Sequence, residues 1–110
     1  MMAARTARRL AQLAETLARL AAESAHDGKA ATDAGDFDNA IACMAEGAAY
    51  ILASRACRAA RNRLISLTEL RAELAYREGH ADAVGGSVGR GSSAAYVVAR
   101  TALADIERAS

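Results

Sequence analysis

The sequence predicts an all-α fold, a small bundle of three to four helices built on an antiparallel helical hairpin. Three observations point there. Proline is absent while Ala, Leu, Arg and Glu dominate, a helix-forming composition. Leucines recur at three-four spacing, the period of one helix face. No alternating strand pattern of useful length occurs anywhere in the 110 residues. The length fits a single domain. Hydrophobic residues make up 53% of the chain but aromatics only 4%, because alanine supplies most of the apolar count. Alanine buries little area, so the core is expected to rest on the Leu, Ile, Val, Phe and Met positions. At roughly 25 cal/mol per Å² of buried apolar surface, that core is thin, and small domains with thin cores often lean on a partner surface. Self-association is therefore expected.

The first helix, about 3–34, carries Leu10, Leu13, Leu17 and Leu20 on one face, continued by Ser24, Ala31 and Ala34. Ala14, Ala18 and Ala21 widen the apolar face beyond a two-stranded coiled-coil seam, which suits a helix set between two neighbours. Glu15 and Arg19 form an outer i,i+4 pair. The turn is placed at Gly35 rather than Gly28, with Asp36 as N-cap of the second helix, about 36–64. That helix reads Phe37, Ile41, Met44, Ala48, Ile51 and Leu52 on one side. Ser66 to Glu69, "SLTE", forms a capping box and predicts a third helix, about 66–79, with Leu67, Leu70 and Leu74 inward. The alternative is one uninterrupted helix over 36–79. Glycines and serines crowd residues 81–93, which are expected to form a loop or flexible linker. Ser92 or Ser93 then caps a last helix, about 93–109, with Tyr96, Ala99, Leu103 and Ile106 on one face. The chain thus divides into a helical core (1–80), a Gly/Ser-rich loop (81–93) and a C-terminal helix (94–110).

Within "GDFDNAIACMAEGAAY", a small-acidic-aromatic turn leads to Phe37, Ala40, Met44 and Gly47 in an order followed by Tyr50. Residues 25–52 resemble the helical hairpins of tetratricopeptide repeats and of MIT domains. "LRAEL", Leu70 to Leu74, is similar to the Arg-Ala-Glu of an MIT third helix, though about two turns earlier. Ser24 and Ala31 stand where the tetratricopeptide pattern has a large aromatic, and no second repeat follows. The resemblance implies a packing solution and a protein-binding scaffold without catalysis. Gly47 needs a reason of its own, since glycine inside a helix costs about 1 kcal/mol relative to alanine. Ala40 and Gly47, seven apart on one face, are read as a close contact with the first helix or with a second copy.

Little in the chain suggests catalysis, a metal or a cofactor, and none is assigned. "GRGSSA", Gly89 to Ala94, fits part of a nucleotide-binding pattern, but no strand precedes it and no Lys follows as in a P-loop. Its helix start beside Arg90 could hold an anion; a plain linker is the preferred reading. His26 and His80 lack a second ligand at metal spacing. Asp33, Asp36 and Asp38 mimic part of a calcium loop, but Met44 occupies the position of its final acid. Cys43 and Cys57 are too far apart on one helix, roughly 21 Å, to pair. They are read as small buried hydrophobes. With no signal peptide and no apolar run of membrane-spanning length, a cytoplasmic protein is expected.

Charge layout carries more information than the net charge of +1. A hairpin folded about Gly35 gathers Arg5, Arg8, Arg9, Arg55, Arg58, Arg61 and Arg63 at one pole. Asp27, Asp33, Asp36 and Asp38 collect at the other, some 40 Å away by helical rise. The arginines of the first helix oppose its dipole, which suggests an anionic contact. Glu69 and Glu73 on the third helix could instead neutralise the pole. Two functions are expected from these features: a self-associating helical adaptor or assembly module, or a nucleic-acid-associated phage or nucleoid component using the arginines.

Overall fold

The computed structural model describes residues 2–109 as four helices: α1 (Ala4–Asp33), α2 (Phe37–Arg61), α3 (Leu67–Val84) and α4 (Gly86–Arg108). The described residues contain no strand. The bundle measures 49 × 26 × 21 Å. Its long axis matches α1, whose 30 residues span about 45 Å.

Both helices of the first hairpin end in the same backbone motif. At the α1 terminus the Gly35 amide donates to the Thr32 carbonyl (3.0 Å) and the Asp36 amide to the Ala31 carbonyl (2.9 Å). At the α2 terminus the Arg63 amide donates to Ala60 (3.0 Å) and the Leu64 amide to Ala59 (2.9 Å). Both are Schellman motifs, which require a left-handed residue just past the helix. Gly35 (φ 77°) and Arg63 (φ 63°) fill that position. The Asp36 carboxylate accepts from the Asn39 amide and caps α2. The Ser66–Glu69 capping box is complete, each side chain accepting from the other residue's amide. The chain over 36–79 is therefore two helices, not one.

α1 and α2 pack antiparallel along their length, α4 packs against α2, and α3 packs mainly on α4. The α1–α2 register is set by small residues. Gly28 meets Ala40 and Cys43, Gly47 meets Ala21 and Ser24, and the buried Ser54 hydroxyl donates to the Ala14 carbonyl at 2.7 Å. The Ser24 hydroxyl donates to the Glu46 carboxylate at 2.7 Å.

The core is built on leucine and alanine. Leu10, Leu13, Leu17, Leu70, Leu74, Leu103 and Ile106 are buried with Tyr50, Tyr96, Cys57 and ten alanines. Contrary to the sequence expectation, Phe37, Ile41, Met44, Val84, Val88, Val97 and Val98 lie outside it. Helix α2 turns Ala40, Ala42, Gly47, Ala49, Ala53, Ser54 and Ala60 inward, which lets α1 and α4 approach closely. Tyr50 is the one large apolar side chain it buries with them; Phe37, Ile41, Met44 and Ile51 face outward.

Residues 81–93 also differ from expectation. α3 runs on to Val84 and α4 begins at Gly86, so Gly85 alone separates the two helices. Gly85 (φ 66°) and Gly86 (φ 63°) reverse the chain. A Cβ on Gly89 would overlap the Ala81 carbonyl oxygen, and one on Gly91 would stand 2.8 Å from the Ala42 carbonyl carbon. These glycines are places where backbones touch. Ser93, expected as a cap, lies inside α4 and donates to the Asp82 carboxylate at 2.6 Å.

Candidate interaction surfaces

Phe37, Ile41, Met44, Ala48 and Ile51 project from α2 at three-four spacing, along the outer edge of the α1–α2 seam, where Met44 lies beside Gly28. Phe37 is 64% exposed and Met44 66%, while Ile41 and Ile51 are each more than two-fifths exposed. Beside this row runs a shallow groove of about 430 Å³ between α1 and α2, lined by Ala25, Gly28, Cys43, Met44, Ala48 and Ile51 among others. Alanine and glycine form its floor and the row its wall. By length and composition alone α2 also passes as a membrane-crossing helix, which the sequence reading did not anticipate. In the bundle α2 is packed on two sides, and its outward row continues into Arg55 and Arg58.

The predicted close contact, Ala40 and Gly47, lies on the inward side of α2, and both residues are buried against α1. A Cβ on Gly47 would stand 3.4 Å from the Ala21 carbonyl oxygen, an ordinary van der Waals distance.

All seven arginines of the predicted pole lie at one end, where the start of α1 meets the end of α2. Met2 packs beside Ala60, Arg63 and Leu64 there. Arg5, Arg8, Arg55, Arg58, Arg61 and Arg63 are exposed and Arg9 half-buried. Among the described residues none of the seven makes an ion pair, whereas Arg71, Arg77, Arg100 and Arg108 pair with Glu107, Glu73, Glu78 and Asp105. The two acids that could have neutralised the pole are engaged elsewhere: Glu69 closes the capping box and Glu73 holds Arg77 at 2.7 Å. At the opposite end, Asp33 pairs with Lys29 and Asp36 caps α2.

A second groove, about 440 Å³, lies between α2, α3 and α4 and is lined by Leu52, Tyr76, His80, Val84, Val88 and Tyr96. Tyr76 and His80 stack with ring centroids 6.4 Å apart. The sequence reading missed this groove because it broke α3 at residue 79. Cys57 is fully buried, as expected, and burial pushes its thiol up to about 11; Cys43 is only half-buried. The "GRGSSA" amides lie within α4, whose start is six residues before Ser92, so no helix N-terminus forms at that motif.

The chain matches no protein-family model, no curated protein and no solved structure in the comparisons made with them.

Proposed function

We propose that this chain is a non-enzymatic helical interaction module, an adaptor or assembly component, whose docking element is the outward face of α2. The observation that carries the reading is the inversion of α2. Its small residues are spent on the intramolecular contacts, and Phe37, Ile41, Met44 and Ile51 are left in water. Single exposed apolar residues are ordinary, but a contiguous row beside an apolar groove marks a binding surface. An amphipathic helix laid in a groove is read through anchors at this spacing. The resemblance of residues 25–52 to tetratricopeptide and MIT hairpins, both protein-binding scaffolds, leans the same way, and a cytoplasmic setting suits it.

A photoreactive residue placed at Met44, and for comparison at Arg19 on the far side of α1, tests the reading in host cells. The expected result is a discrete protein adduct from Met44 and none from Arg19. Adducts to lipid alone, or no protein adduct from Met44, would overturn it.

The unpaired arginine pole favours a second reading, association with nucleic acid. Seven arginines with no acidic partner among the described residues form an electrostatic footprint, although no aromatic accompanies them for stacking on bases. Duplex binding that weakens steeply with salt and disappears in Arg58→Glu/Arg61→Glu/Arg63→Glu would support it; salt-independent binding would sink it.

A further inference from the structure

Resting on the reading of α2 as a docking face, we infer that its occupant is a second copy of this chain, lying antiparallel across a two-fold axis at the level of Glu46. The apolar row and the charges follow one another in order along a single helix. From Phe37 to Arg58 the row extends about 32 Å at 1.5 Å per residue. Reversed about position 46, it complements itself. Ile41 falls opposite Ile51, Met44 opposite Ala48, and Phe37 opposite Arg55.

Large side chains thus face large ones at the flanks, and a large one faces a small one on each side of the axis. A two-fold interface needs one patch to recognise its own reverse. The alanine and glycine floor of the adjoining groove gives Met44 of the second copy a place to insert. Phe37 meeting the guanidinium of Arg55 is a favourable cation–π pairing.

Charge selects the same orientation. The row begins beside Asp38 and the N-cap Asp36, with Asp33 paired to Lys29 nearby, and ends at Arg55 and Arg58, which have no ion-pair partner among the described residues. Antiparallel copies place acids against arginines at both ends. Parallel copies place like charges together at both ends, which disfavours them. The ends are exposed, so the attraction is screened by salt and sets orientation more than strength.

Sedimentation equilibrium of the full chain, with cysteine cross-linking to read the register, tests the inference. The wild type is expected to be a dimer that weakens about tenfold between low and high salt. Met44→Glu should become monomeric at the same concentration with its helical signal intact, since Met44 is exposed in the single chain.

In a Cys43→Ser background, Ile41→Cys mixed with Ile51→Cys should form a disulfide between the two chains, while either variant alone should not. A monomeric wild type, a dimer indifferent to Met44→Glu, or self-linking of either variant alone would each overturn the inference. A monomer whose Met44 photoreactive form still captures another protein would overturn the second copy as occupant and leave the docking face standing.

Discussion

Gly47 and Gly91 both sit inside helices against a neighbouring backbone, but the room beside them differs. The Gly47 Cβ position is 3.4 Å from the nearest foreign atom, so an added methyl fits and removes glycine's helix penalty. Gly47→Ala should therefore be neutral or stabilising by up to about 1 kcal/mol, while Gly47→Leu should drive α1 away and destabilise. At Gly91 the obstacle is the Ala42 backbone itself, which cannot swing aside. Gly91→Ala should cost about 2–3 kcal/mol as overpacking between helices. Urea unfolding of the three variants checks the contrast.

Cys57 supplies a pH signature. Its thiol ionises near 9.0 when free and near 11 in the fold. Below pH 9 both states hold the proton and stability is unaffected. Between pH 9 and 11 only the unfolded chain releases it, so stability should fall by at most about 2–3 kcal/mol across that window. Tyr50, raised by burial and by Glu46 and Glu23, adds loss of the same sign higher in the range. Unfolding measured at pH 8 and pH 10.5 should show the drop, and Cys57→Ala should reduce it.

At the level of elements, the two Schellman motifs make a controlled comparison. Gly35 meets the left-handed requirement without strain, whereas Arg63 adopts it with a Cβ. Left-handed backbone costs an ordinary residue roughly 1–2 kcal/mol. Arg63→Gly should therefore stabilise the fold by about 1 kcal/mol, measured by thermal unfolding, while weakening any contact made by the arginine pole. Local signals of this kind were readable in advance. The turn at Gly35, the Asp36 cap and the "SLTE" box depend on a few adjacent residues, and each is where the sequence places it. The α3–α4 junction was not readable, because glycine's local preference for turns was overridden by tertiary contacts. Gly89 and Gly91 accept a helix penalty so that α4 can touch Ala81 and Ala42.

For the molecule as a whole, hydrophobicity alone misassigned the sides of α2. The larger apolar residues suggested the packing face, but close helix approach needs small ones. The signal was present in Ala40, Gly47 and Ser54, and again in Ala42, Ala49 and Ala56, each set spaced by seven. The arginine pole was legible because it follows from hairpin geometry alone. That its arginines have no ion-pair partner among the described residues was not, since this depends on where Glu69 and Glu73 reach.

The central claim, that the outward face of α2 is the surface a partner covers, is tested most directly by hydroxyl-radical footprinting over a dilution series. As concentration rises, Phe37, Ile41, Met44 and Ile51 should become protected together, while exposed Leu64 and Tyr76 keep their reactivity. Protection confined to Leu64, Tyr76 or Val88, or no change in the α2 row at any concentration at which the chain associates, would contradict it.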